Sequence, residues 1–494
     1  MSVTAIPAIP ATPATTATPA TPATPATPAT LDRVSPRERL EMLCDPGSVQ
    51  VLRSGVISPR LGDRAQPGDG VVGGTGAVDG RPIACYAQDG GYLGGSLGER
   101  HADTVVRVLE TARKARVPVI GFVESGGARM QEGTAALGGY ARIFRHTVQL
   151  GGIVPQISIV SGNSAGGGAY SPALTDLILM TQEGSMFLTG PGIVREALGE
   201  DVDGPTLGGH RVHERNGVCH LVEPDVPAAA ARVRSLLRYL PSAAGEPAPR
   251  AVTRDPARED PGFAVPAESR KVYDVRDALD GIVDAESLLE LCPRWARNMV
   301  TALARIDGRP VGVVANQPRY LGGVIDAVAA EKAARFIGFC NSFGIPLVAV
   351  VDTPGYMPGT RQERAGVIRH GASLLRAFAA ATVPKLTVVV RKAYGGAYIS
   401  MNSRELGADL VLAWPNAEMG IMAARGAVGI VHRRELAVAE DVDAELARLA
   451  DRYAGEHLGA AAAASAGYID EIVEPEDTRE RLAWALRTLA GSRA

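Results

Sequence analysis

Two short glycine runs in this chain could polarise a carbonyl. Ala165 to Tyr170 reads AGGGAY, and far downstream Ala393 to Tyr398 reads AYGGAY. An apolar run that predicts a strand precedes each one, QISIV in the first case and KLTVVV in the second. Glycine at a strand-to-helix junction permits a tight turn and leaves backbone N–H groups uncovered by any Cβ. Such donors can hold a developing oxyanion, an effect of about 3 to 4 kcal/mol per donor in enzymes that use it. One GG before a helix is usually a turn and nothing more, whereas two at the same offset predict a pair of sites. Two oxyanion sites imply two substrates, or two parts of one, that each become enolate-like. A thioester losing an α-proton does this, and so does a urea-type carbonyl losing a carboxyl group. No Glu, His or Lys is read at matching positions near both turns, so the base is assigned to a substrate.

The elements that must position these turns are duplicated as well. DGRPIACYAQDGGYLGG (Asp79 to Gly95) returns as DGRPVGVVANQPRYLGG (Asp307 to Gly323), and VPVIGFVESGG, ending at Gly127, returns as IPLVAVVDTPG, ending at Gly355. All three repeats share one offset, the span from Asp79 to Asp307. That span far exceeds the roughly 20 to 50 residues of a solenoid repeat, so a whole domain is doubled. Helical patterns, HADTVVRVLETARKA and AVAAEKAARFIGFCNSF, precede the buried strands VIGFV and LVAVV. Alternating strands and helices with uninterrupted apolar strands predict an α/β fold. Residues 1–30 form an Ala-Thr-Pro tract that predicts a disordered tail. Residues 31–240 and 267–494 then make the two related domains, and the Pro-rich stretch 241–266 reads as a linker.

Composition narrows the function classes. With 494 residues, 46% hydrophobic and 21% charged, the chain reads as a soluble globular protein. A net charge of −3 with scattered basic residues argues against nucleic acid as a partner. No apolar run is long enough for a membrane span and no secretory signal is read, so the cytoplasm is expected. Five scattered cysteines (Cys44, Cys85, Cys219, Cys292, Cys340) offer no zinc motif and read as reduced, buried thiols.

Competing motifs are weaker. GNSAG (Gly162 to Gly166) fits a nucleophile elbow with Ser164, for which Asp176, His210 and His213 are candidate partners. Counted at the offset of the repeats, however, Ser164 falls opposite Lys392, so the duplication did not keep it. GGTGAVDG (Gly73 to Gly80) lacks dinucleotide-loop spacing and leads into a strand. Arg145, His146, Arg369 and His370 could meet phosphates or a carboxylate, but such residues are more often helix-surface charges or salt-bridge partners.

The ordered signatures SGGARMQEG, GIVPQIS, AGGGAYSPALTD, SMFLTGP, RWARN, ANQP, EKAARFI, VDTPGYMPG, IRHGA, RKAYGGAY and GADLVLAWP run from about Arg37 to near the C-terminus. In them the chain resembles the carboxyltransferase (β) subunits of biotin-dependent acyl-CoA carboxylases, the acetyl- and propionyl-CoA carboxylase group. The resemblance implies two tandem crotonase-like domains, each a ββα superhelix, and a hexamer built from two trimers. It implies that acyl-CoA and carboxybiotin meet where the N-terminal half of one subunit faces the C-terminal half of another. Carboxybiotin there releases CO2, its ureido nitrogen takes the α-proton, and the thioester enolate attacks CO2.

By the same resemblance Gly166, Gly167 and Gly168 supply one oxyanion hole, and Gly396 with Ala397 the other, with CoA on the N-terminal half and biotin on the C-terminal half. Gly126, Gly127, Ala128, Arg129, Tyr170, Gly355, Tyr398 and Ile399 are implied as substrate contacts, Ile399 near the acyl pocket and favouring acetyl or propionyl chains. None of the five lysines (Lys114, Lys271, Lys332, Lys385, Lys392) sits in a Met-Lys-Met context, and no G-x-x-x-x-G-K-[ST] loop is present. Biotin and its ATP-driven carboxylation are therefore expected on a biotin carboxylase and carrier partner, with no metal on this chain. A biotin-dependent decarboxylase is the near alternative. The chain departs from the family in its Ala-Thr-Pro tail and in Ser373, where relatives often carry lysine.

Overall fold

A computed structural model describes residues 34–490. The Ala-Thr-Pro tract lies outside the described residues. The rest builds two mixed sheets of eight strands each, one from either half. In the first, strands Gln50–Leu52, Val71–Val78, Arg81–Gln88, Val119–Ser125, Gln156–Ala165, Leu177–Thr181 and Leu221–Glu223 lie side by side in chain order, and Ser185–Phe187 pairs with Gln156–Ala165. The second repeats this with Leu289–Leu291, Met299–Ile306, Arg309–Asn316, Leu347–Thr353, Lys385–Tyr394, Leu410–Ala413 and Glu471–Ile472, and Glu418–Gly420 joins Lys385–Tyr394. In each sheet the first strands are antiparallel and the later ones parallel.

The repeated DG pairs make the hairpins. Asp79 and Gly80 have φ of 49° and 75°, and Asp307 and Gly308 have 54° and 71°. Two consecutive left-handed residues are what a two-residue hairpin of type I′ demands, and Asp-Gly meets that demand. An aspartate from outside the hairpin caps each turn. Asp45 accepts from the N–H groups of Asp79 and Gly80, and Asp284 from those of Asp307 and Gly308.

Helices Glu99–Ala115 and Ala327–Ser342 follow the YLGG loops and bury one face each, through residues such as Val105, Val108 and Ala112, or Ala330, Ala333 and Ile337. The strands Val119–Ser125 and Leu347–Thr353 are buried along their whole length, which explains why both read as unbroken apolar runs.

The constant offset of the repeats does not hold throughout. Val119 pairs with Gln156 in the first sheet, and its counterpart Leu347 pairs with Lys385 in the second, where an unchanged offset would have brought Pro384. One residue has been inserted in the turn-and-helix segment between these strands, where the second half places Thr360–Arg364 and Val367–Ala380. Ser164 therefore matches Ala393, not Lys392. A helix-bearing connection can absorb an extra residue, whereas a one-residue slip inside a strand would turn its buried face outward.

One apolar cluster runs through both halves, joining Leu40, Ile120 and Leu179 to Leu303, Phe336 and Val411. Segment 241–266 has no strand, and its only helical piece is the short turn Pro261–Ala264. It packs on both halves, as Ala244 N–H donates to Ile153 and Ala251 N–H to Gly308. All five cysteines are buried and unbridged. No helix among the described residues is long and apolar enough to cross a membrane.

Candidate active site

Both glycine runs form the turns that their composition predicts. In the first half, strand Gln156–Ala165 ends at Gly166, whose φ of 56° is left-handed, and helix Gly167–Ala173 begins at once. The Gly166 N–H is used, donating to Phe187 O at 3.1 Å. The N–H groups of Gly167 and Gly168 stand at the first two helical positions and have no acceptor among the described residues. In the second half, strand Lys385–Tyr394 passes into helix Gly395–Ser400, and Gly395 takes φ of 59°. There the N–H groups of Gly396 and Ala397 are likewise without acceptors. The corrected register pairs Gly166-Gly167-Gly168 with Gly395-Gly396-Ala397, so Gly395 is the turn residue that sequence comparison at a constant offset passed over. Tyr170 likewise corresponds to Ile399, and both are about half exposed.

A tyrosine backs each turn. The Tyr140 hydroxyl and Ser125 Oγ share a hydrogen bond of 2.8 Å, and burial pushes the phenol up to about 12, which keeps it protonated. A Cβ on Gly167 would stand 2.7 Å from three ring carbons of Tyr140, and one on Gly168 would stand 2.8 Å from Ser125 Cβ. In the second half Tyr356 donates to Ser400 Oγ at 2.8 Å, and its ring leaves more room, 3.8 Å from a Cβ built on Gly396. The two turns share a design and differ in how tightly it is packed.

The loops after the central strands frame the turns. Gly126 is exposed and donates to Gly94 O, while Gly127, with φ of 96°, accepts from Leu97 N–H. Ala128 bridges to Leu97 as an extension of the sheet. Gly355 accepts from Ile325 N–H in the same way. Tyr398 tucks its hydroxyl inward, without a partner among the described residues.

Arg129 differs from the expected substrate contact. It is completely buried, with Nη1 donating to Asp69 at 2.5 Å and Glu132 at 2.9 Å and Nη2 donating to the carbonyls of Asp69 and Ser96. This network ties three loops together and holds the guanidinium wholly out of solvent, so Arg129 supports the site from behind.

Sequence comparison also overlooked a recurring acid. Glu124 and Asp352 occupy matching positions near the ends of matching strands, Val119–Ser125 and Leu347–Thr353, and both are buried. Arg39 binds Glu124 at 2.9 Å, and Arg391 binds Asp352 at 2.9 Å. Buried carboxylates so paired brace the strand ends. The hydrolase reading also fails on geometry. Ser164 lies inside its strand, fully buried, and its Oγ has no partner among the described residues. His213 pairs with Met186 O, His210 with Gln182 O, and Asp176 with Gln156 N–H, so no relay reaches Ser164.

Two like-built sheets, each ending a parallel strand in a turn whose N–H groups have no acceptor among the described residues, define a doubled α/β architecture with one donor-lined turn in each half. The Carboxyl transferase domain family matches residues 32–493. The propionyl-CoA carboxylase beta chain of Saccharopolyspora erythraea is 45% identical over 92% of this chain and 88% of its own length. The methylmalonyl-CoA decarboxylase subunit alpha of Veillonella parvula is 42% identical over 93% and 91%. Among solved structures, transcarboxylase 12S, described as a hexamer and carrying methylmalonyl-coenzyme A and methylmalonic acid, matches with a TM-score of 0.90 at 44% identity, over 93% of this chain and 89% of that one. The chain belongs to the carboxyltransferase subunits of biotin-dependent acyl-CoA carboxylases, and its fold is the crotonase-like pair of that family.

Proposed function

We propose that this chain moves a carboxyl group from carboxybiotin, borne on a separate carrier protein, to the α-carbon of a short acyl-CoA such as propionyl- or acetyl-CoA. The observation that carries the reading is the recurrence of two partner-free N–H groups at equivalent positions of both halves. Gly167 and Gly168 hold the thioester oxygen as it gains enolate charge, and Gly166 sets the turn that aims them. Gly396 and Ala397 hold the ureido oxygen, with Gly395 as the turn residue. Each donor is worth about 3 to 4 kcal/mol in a water-poor site. Carboxybiotin, when bound, supplies CO2 and a ureido nitrogen that accepts the α-proton. The chain then needs no base of its own, and Glu124 and Asp352 are each held in an ion pair.

Residues 31–240 and 267–494 each contribute one turn. Gly126, Gly127, Ala128, Tyr170, Gly355, Tyr398 and Ile399 line the approach, with Ile399 bounding the acyl chain. Exposed apolar side chains follow each turn in the chain, Leu188, Ile193 and Leu198 in one half and Ile421, Ile430 and Val431 in the other. Such surfaces suit subunit contact, so we assign the working site to two subunits of a hexamer, N-terminal half against C-terminal half. Five unbridged cysteines fit a reducing compartment, and we take the enzyme to be cytoplasmic.

The purified chain, mixed with its biotinylated partner and propionyl-, acetyl- or butyryl-CoA, should consume carboxybiotin and yield the carboxylated thioester. If none of the three is carboxylated, the substrate assignment is wrong. The decarboxylase relative makes direction a separate question, answered by the partners that co-purify: an ATP-using biotin carboxylase for synthesis, a membrane sodium pump for decarboxylation.

A further inference from the structure

A second cleft, lined by none of the glycine-turn residues, lies where the two sheets meet edge to edge. One wall is the edge strand Leu221–Glu223 with helix His210–Asn216, and the other is the chain just past edge strand Leu289–Leu291. Cys292 N–H donates to His220 O across the seam, so the walls are fixed relative to one another. The cleft holds about 600 Å³, within the range of small-molecule sites.

Its lining is unevenly charged. Arg211, Arg215, Arg232 and Arg294 face two carboxylates, Glu214 and Glu223. Glu223 is taken by Arg232 at 2.6 Å and Glu214 by Arg294 at 3.2 Å. Arg211 and Arg215, one helical turn apart, form no ion pair or hydrogen bond among the described residues. The ring of His220 adds a directed donor. Its Nδ1 accepts from Ile178 N–H at 3.1 Å, so the ring proton must reside on Nε2, which has no acceptor among the described residues. Two unspent guanidinium groups and one N–H donor thus line a cleft with a surplus of positive charge.

We propose that this seam cleft binds a phosphate-bearing dianion, either free or carried on a nucleotide, with Arg211 and Arg215 pairing its oxygens and His220 Nε2–H donating to it. Guanidinium groups match phosphate oxygens in a forked geometry that a solvated surface anion does not require. None of these residues belongs to the glycine turns, so the site is separate from carboxyl transfer and its failure would leave that reading intact.

The test is calorimetric titration of the assembled full-length chain with inorganic phosphate, pyrophosphate and AMP at constant ionic strength, repeated on Arg211→Ala/Arg215→Ala and on His220→Gln. Saturable binding of at least one probe, weakened tenfold or more in the double variant with the carboxyl-transfer rate unchanged, is expected. Preference for AMP over inorganic phosphate would assign a nucleotide, and the reverse a free phosphate. The proposal is overturned if no probe saturates by about 10 mM, weaker than a specific small-anion site requires, if the double variant binds as the wild type does, or if acyl-CoA displaces the probe.

Discussion

The same substitution at equivalent positions of the two turns should have unequal effects. In Gly167→Ala the new Cβ would stand 2.7 Å from Cγ, Cδ1 and Cδ2 of Tyr140, whereas ordinary carbon contacts begin at about 3.5 Å. Roughly 1 Å must be found. The ring gives little, because its hydroxyl is bonded to Ser125 and it packs on Phe144 with centroids 5.7 Å apart. The turn therefore shifts, and its N–H groups leave the narrow range in which a donor serves an oxyanion. Loss of one such donor costs about 10²- to 10³-fold in kcat. In Gly396→Ala the Cβ meets the Tyr356 ring at 3.8 Å, an ordinary contact, and the N–H groups stay in place. We expect that variant within about threefold of wild type, since well-accommodated changes cost little. Steady-state carboxylation with the biotinylated partner gives both rates, and Tyr140→Ala added to Gly167→Ala should restore part of the loss. Equal losses in the two single variants, or a Gly167→Ala enzyme as active as Gly396→Ala, would refute the steric argument.

Arg129→Met should leave Asp69 and Glu132 buried without their cation, lowering stability by about 3 to 5 kcal/mol. Thermal melting checks this, and an unchanged KM in the folded fraction separates support from substrate contact. Burial, followed by the charge of Arg129, pushes His101 down to about 3, so its native ring stays neutral where the unfolded ring would protonate. Stability is then complete above pH 6.5 and falls as pH drops towards 3, by up to roughly 4 to 5 kcal/mol for this group. Since His220 is shifted equally, to about 3, His101→Asn should remove about half of the slope these two histidines give to urea melts taken between those pH values. Ser164→Ala should leave turnover intact, and a fluorophosphonate adduct on Ser164 would contradict its burial.

Much of this architecture was legible in the chain. DG pairs, YLGG loops and apolar strands recur because each answers a local backbone demand, and local demands leave marks in sequence. The glycine turns were legible for the same reason. Three features were not. The inserted residue between Gly355 and Lys385 lies in a helix-bearing connection, where no periodicity counts residues, so an ungapped offset misaligned Gly395 and Ser164. Glu132 stands three residues from Arg129, but the second counter-charge, Asp69, is remote in the chain, and only the fold brings it to 2.5 Å. Glu124 and Asp352 were visible as acids of different length at one offset, yet a search for an identical repeated base passes over a conservative pair.

The unbroken apolar cluster has a consequence for the history of the gene. A doubling normally yields two modules that could later drift apart or be shuffled singly. Here leucines and phenylalanines from either side seal a common interior, so excising one copy would strip the other of much of its cover. The two halves should therefore melt as a single unit, and recombination within this lineage should exchange them only together.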